Sequence, residues 1–304
     1  MTAPEAPPVL SPGPPRRTWV APPRVSPSLI APIVGMVGAA FASAIGVVLV
    51  AVRYDPGITK GNAAENIQHW MDAHIASFPV IFAFIVPAQL VFLGTAVFFA
   101  AFDRERWFAR LGFVRWQVPF SLVVLAVLGT LGVQFAIGLV ADALIREPSD
   151  SLKMLARMFT EPQGIAVVGV GFLMSVLPGV CEEALFRGFM QRGLLRRWSP
   201  SVAIGVTSVY FAIAHFDVQH SLAVLSLGAW LGFVAWKTGS VWATALCHFT
   251  NNAFAFVVLR VWGDAGTGTP KSSIYYVMGS VFLVLTIVAA VRLRRTRTPA
   301  CVPG

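Results

Sequence analysis

Residues 164–198 read GIAVVGVGFLMSVLPGVCEEALFRGFMQRGLLRRW. The 18 positions before Glu182 carry no charge, and a run of that length is a candidate membrane span. Two adjacent glutamates and Arg187 then follow within the same apolar stretch. Ionisable side chains at membrane depth are costly, so each is a functional candidate. The stretch therefore reads as a membrane helix carrying chemistry.

The rest of the chain agrees with a membrane setting. Of 304 residues, 56% are hydrophobic and 12% charged, against about 25% charged in a soluble domain. Mean hydropathy is +0.72. Apolar runs predict eight spans, at 29–52, 78–102, 118–141, 164–196, 200–216, 220–236, 240–262 and 274–291. The expected fold is an all-α polytopic membrane protein, multi-pass in the cell membrane, because unpaired strand edges do not survive in lipid. The chain divides into a proline- and arginine-rich tail at 1–28, expected to be disordered, a three-helix region at 29–163, a polar-bearing core at 164–262, and a last span with a basic tail at 263–304. The first apolar run is too long for a signal-peptide core and reads as a retained span.

The net charge of +9 follows topology. With the N-terminus inside, the inner segments carry fifteen Lys and Arg and the outer ones seven. That bias predicts both termini on the cytoplasmic side and explains the charge without a nucleic-acid partner. Residues 103–117 mix arginines with Trp107, Phe108, Phe113 and Trp116, a composition suited to a helix on an anionic lipid surface. Residues 151–159 are a weaker case on the other side. A plain connecting helix accounts for either as well. Cys181, Cys247 and Cys301 imply no disulfide framework.

Intramembrane polar residues are few: Glu182, Glu183 and Arg187 in the fourth span, His215 in the fifth, and His248 with Asn252 in the seventh. Glu183 and Arg187 are four apart with the acid first, the favourable order for a helical ion pair. Glu182 is turned about 100° away and is the freer of the two. His248 and Asn252 share a face, as do Phe211 and His215. At about 1.5 Å per residue the groups lie at depths of roughly 12–24 Å from one side, so they can meet in one bundle. Pro178 frees a backbone carbonyl and predicts a kink beside Glu182.

A shielded glutamate and a neutral histidine can together deprotonate water for attack on a carbonyl. His248 and Asn252 could donate to the oxyanion that develops. Two histidines and a carboxylate, here Glu182, His215 and His248, also make a common zinc set, although no HExxH helix is present. A cysteine nucleophile has nothing to generate its thiolate. A scaffold or immunity protein that keeps these residues for binding is an alternative reading, as is a proton-coupled transporter relaying through Glu182 and His215.

The motif EEALFR (182–187) resembles the EExxxR of the CAAX prenyl protease and bacteriocin-processing membrane proteins, the CPBP or Abi family. FAIAH (211–215) is similar to that family's FxxxH, and HFTNN (248–252) to its HxxxN. The resemblance covers roughly 164–262. It implies an intramembrane endopeptidase of about eight helices acting on a membrane-associated or lipidated protein or peptide. It implies Glu182 as water-activating base assisted by His215, His248 and Asn252 as oxyanion donors, and Glu183 with Arg187 as the supporting pair. Family members are read both as zinc metalloproteases and as metal-independent glutamate enzymes, and both remain open here.

Overall fold

The structure is a computed structural model that describes residues 25–103, 105–262 and 273–297. The side chains of Asp142 and Trp262 are not described. All regular elements among these residues are helical: α1 (Ser26–Tyr54), α2 (Ala63–His74), α3 (Phe78–Ala101), α4 (Trp107–Arg110), α5 (Phe120–Leu144), α6 (Asp150–Thr160), α7 (Ala166–Glu183), α8 (Arg192–Leu195), α9 (Pro200–Ile213), α10 (Val218–Thr238), α11 (Val241–Trp262) and α12 (Ser273–Arg294). The expected tail at 1–28 falls almost wholly outside the described residues, as does the basic end beyond 297.

Seven helices among the described residues are long and apolar enough to cross a membrane. The chain is thus a multi-pass membrane protein, as its hydropathy predicts. The difference from eight lies at 200–216. There α9 has 14 residues, about 21 Å at 1.5 Å per residue, short of the roughly 30 Å hydrocarbon core. It stops because the chain reverses. Phe216 takes a left-handed backbone with φ 51°, and Asp217 caps α10 by accepting the His220 N–H at 2.7 Å. Ser221 Oγ closes the turn on the Ala212 carbonyl. The tip is tied to the neighbouring loop, where Gln219 accepts the Ser149 N–H and donates to the Glu147 carbonyl.

The fourth span continues as helix past Pro178. α7 leads without a break into a π-helical segment, Ala184–Gln191, and on into α8, making 30 residues in all. Every residue from 184 to 191 is buried. This wide segment forms the centre of the main apolar cluster, with Phe92 and Ala96 of α3, Ala31 and Met36 of α1 and Phe211 of α9 around it. The α1–α3 pair packs against it, while the α5–α12 pair packs on α10 and α11.

The segment at 103–117 also differs from a single interfacial helix. Among its described residues only Trp107–Arg110 is helical, and Leu111 lies against Gly188 of the π segment. Gly188 permits this: a Cβ there would fall on the Leu111 carbonyl oxygen. Gln117 N–H bonds the Thr238 carbonyl, and Ser240 Oγ bonds that of Val114. Gly239, at φ 68°, ends α10 in the left-handed turn that favours glycine. Residues 150–160 do form a helix, α6, with Ala156, Met158 and Phe159 buried.

Two ends of the bundle are distinct. One gathers 103, 105–117, 192–197, 237–240 and 292–297, linked by Arg196–Asp103, Arg192–Gly239 and Lys237–Arg294 bonds. Among described residues this end holds eleven Lys and Arg. The other gathers 72, 147–162 and 260.

Candidate active site

Helix α7 presents Glu182 and Glu183 just before its geometry widens. A π turn accommodates about one residue more than an α turn and is frequent at functional sites. The four-residue step still brings Arg187 back to Glu183, with Nη1 donating to Oε1 at 2.8 Å. The other arm, Nη2, donates to the Gly228 carbonyl of α10 at 3.2 Å. The guanidinium lies over the Phe211 ring, 4.1 Å from its centre. Both Glu183 and Arg187 are fully buried. An isolated charge in such a place is prohibitive, whereas a paired and hydrogen-bonded one is tolerated.

His248 of α11 joins the same carboxylate, its Nδ1 3.0 Å from Glu183 Oε1. A carboxylate only accepts, so Nδ1 carries the proton. In the neutral ring Nε2 is then an acceptor. That Nε2 faces Glu182, 4.0 Å from Oε2. Glu182 Oε1 accepts a 2.8 Å bond from Gln89 Nε2 of α3. The two adjacent glutamates thus differ sharply. Glu183 is clamped between a guanidinium and an imidazole. Glu182 keeps Oε2 toward His248, near enough for one water to reach both groups.

Phe211 is the hub of the remaining contacts. Its ring meets Phe186, His215 and His248 edge to face. His215 Nδ1 bonds the Phe211 carbonyl at 2.9 Å, and its ring lies 4.6 Å from that of His220. Asn252 has a different neighbour. Pro178 has no N–H to offer the carbonyl four residues earlier, and Asn252 Nδ2 donates to that Met174 carbonyl at 3.1 Å. Its Oδ1 accepts from Asn251. The structure therefore joins Glu182, Glu183, Arg187 and His248 directly. His215 is linked through Phe211, and Asn252 stands one helical turn along the face of His248.

Among the described residues, no three His, Cys, Asp or Glu side chains are grouped so as to hold a metal ion. His248 Nδ1 is taken by Glu183, and His215 Nδ1 by a backbone carbonyl.

Two contributors were not singled out in the sequence. Gln89 is a lone amide in an apolar span, and that isolation was its signal. His220 sits at a predicted helix start, where a histidine is unremarkable, and its approach to His215 depends on the α9–α10 reversal. Phe211 reads as packing in sequence, yet it carries the Arg187 cation.

Residues 164–254 match the family model described as "Type II CAAX prenyl endopeptidase Rce1-like". A protein of Bacillus subtilis (strain 168) named "Putative membrane peptidase YdiL" is 26% identical over 84 residues, 28% of this chain. The match spans 34% of that relative, about a third of its length. No solved structure matches the chain. The resemblance carried by the three motifs is thereby borne out. Within 164–254 the chain is similar to the Rce1-like type II CAAX prenyl endopeptidases, and all six polar residues of the motifs fall inside that match.

Proposed function

We propose that the chain is an intramembrane endopeptidase that hydrolyses a peptide bond in a membrane-associated or lipidated protein or peptide, from a site reached from the cytoplasmic half of the bilayer. The carrying observation is the division of roles between the paired glutamates. Glu183 is spent on Arg187 and His248, while Glu182 has one oxygen held by Gln89 and the other facing His248. The match to a protease family over this segment supports the same reading.

In the proposed reaction a water sits against Glu182 Oε2. The carboxylate takes its proton as the water oxygen attacks the substrate carbonyl carbon. The carbonyl π pair moves onto oxygen, which becomes the oxyanion. His248 donates to it from Nε2 when the ring is doubly protonated, with Glu183 accepting from Nδ1. Asn252 has a second amide N–H besides the one given to Met174, and this supplies a further donor. Collapse of the intermediate breaks the C–N bond, and protonated Glu182 returns its proton to the leaving amine. Glu183 and Arg187 hold His248 in place, and His215 buttresses the cluster through Phe211. A substrate with a lipid anchor or a membrane segment would reach a site buried among spans without crossing water.

The test compares peptide ends in membranes bearing wild type and Glu182→Gln at equal levels. Gln keeps the shape of the side chain and its bond from Gln89 can be replaced, but it cannot accept the proton. New termini should appear with wild type alone, with cleavage by the variant reduced by at least about a hundredfold, the usual scale of acid–base catalysis. Equal cleavage by the variant would remove Glu182 from the chemistry. Identical termini in both, with the cellular phenotype kept, would turn the reading toward a scaffold.

A further inference from the structure

A cavity of about 730 Å³ lies at the arginine-rich end of the bundle. Its walls come from 105–117, from the π segment and α8, and from the turn between α10 and α11. Six arginines line it: Arg106, Arg110, Arg115, Arg187, Arg192 and Arg196. Glu105 is the one acid in the wall. Counting the acids that pair with these arginines from behind, Asp103 and Glu183, leaves six cations against three anions.

The arginines are not equivalent. Arg187 forms the inner wall, with its Nε buried and without a hydrogen-bond partner. Arg192 spans the cavity side to the Gly239 and Ala109 carbonyls. Arg110 is held against the π segment, its pKa lowered to about 10 by burial first and then by the charge of Arg196. Arg106 and Arg115 are exposed at the mouth and have no ion-pair partner among the described residues. Six guanidiniums crowded around one cavity, with Arg106 and Arg115 exposed and unpaired, suit an anion. Guanidiniums suit phosphate because they offer paired planar donors.

The apolar part of the wall narrows the choice. Phe108, Leu195, Trp236 and Val241 share the cavity with the arginines. Beside its mouth Trp107 is 47% exposed, an aromatic suited to the membrane interface. We propose that this cavity binds the phosphate headgroup of an anionic phospholipid, with the guanidiniums on the phosphate and the apolar wall against the start of its chains. Basic pockets between membrane helices accept such headgroups. The same phosphate chemistry could come from a small soluble ester, and the experiment separates the two. This inference does not depend on the catalytic reading.

The full chain, stripped of lipid in detergent, is titrated with phosphatidylglycerol, with phosphatidylcholine of the same chains, and with glycerol 3-phosphate, and bound species are counted by native mass spectrometry. Wild type should retain phosphatidylglycerol at a saturable site in preference to phosphatidylcholine. Arg106→Gln/Arg115→Gln should weaken it roughly tenfold or more, since each basic side chain near a headgroup contributes on that scale. Both side chains are exposed and unpaired, so the variant should melt with wild type. Arg295→Gln/Arg297→Gln, exposed at the same end but outside the cavity wall, should change binding little. Equal losses in the two variants, or wild-type binding by the first, would overturn the site. Saturable binding of glycerol 3-phosphate without preference for the lipid would reassign the occupant to a soluble phosphate and overturn the lipid proposal.

Discussion

Arg187 and Arg110 are held by the same three kinds of partner at two different depths. Each meets a carboxylate, Glu183 or Asp103. Each lies over a phenyl ring, Phe211 at 4.1 Å or Phe189 at 4.5 Å. Each also donates to helical carbonyls, Arg187 to Gly228 and Arg110 to Gly188 and Phe189. The carboxylates differ. Glu183 is wholly buried and serves one guanidinium and one imidazole. The Asp103 side chain is 25% exposed and serves two guanidiniums, Arg110 and Arg196. Among the buried spans the Glu183 and Arg187 charges are matched by each other, because little else there solvates them. At the end of the bundle water and counterions screen a surplus, so a basic cavity can persist beside the Asp103 and Glu105 pairs.

That contrast can be broken most directly at Glu183. Glu183→Gln leaves a buried guanidinium facing a neutral amide, and breaking one partner of such a pair costs about 3–5 kcal/mol. Thermal unfolding in detergent, followed by tryptophan fluorescence, should show the largest fall of the set. Cleavage should fall with it even at temperatures where the protein stays folded, because His248 loses its anchor. Asp103→Asn makes the same chemical change at the other depth. There Arg110 keeps two carbonyl bonds and its ring, so the expected loss is about 1–2 kcal/mol. Should the two variants melt alike, depth is not what separates the stations. Arg196→Gln probes the surplus itself. Its side chain is 16% exposed and shares Asp103, and removing it should cost under about 1 kcal/mol, diminishing further in high salt. A loss as large as that of Asp103→Asn would show that the end station is matched as tightly as the central one.

The charge stations also show where reading the sequence stops. The Glu183–Arg187 bond was legible because helical periodicity sets which side chains meet at four residues, and the chain itself supplies both partners. The freer state of Glu182 was legible for the same reason. The Arg110 station was not. Asp103 and Arg110 are seven residues apart in a segment that reads as one interfacial helix, and the bond depends on that segment folding back over Gly188. Asn252 shows an intermediate case. Its place on the face of His248 follows from spacing, whereas its bond to Met174 needs the helix carrying Pro178 to lie alongside.

By itself the sequence determined the membrane class, the order of the spans, which residues carry charge at depth, and the local pair within α7. Each rests on hydropathy or on helical repeat, which act between near neighbours along the chain. Only the tertiary structure decided that α9 stops short and reverses at Phe216, that Gln89 reaches Glu182 across 93 positions, that one histidine nitrogen is claimed by Glu183, and that six arginines surround one cavity. Those depend on contacts between helices far apart in sequence, where shape complementarity, backbone carbonyls left free by proline, and the need to pair every buried charge select one arrangement among many with the same hydropathy.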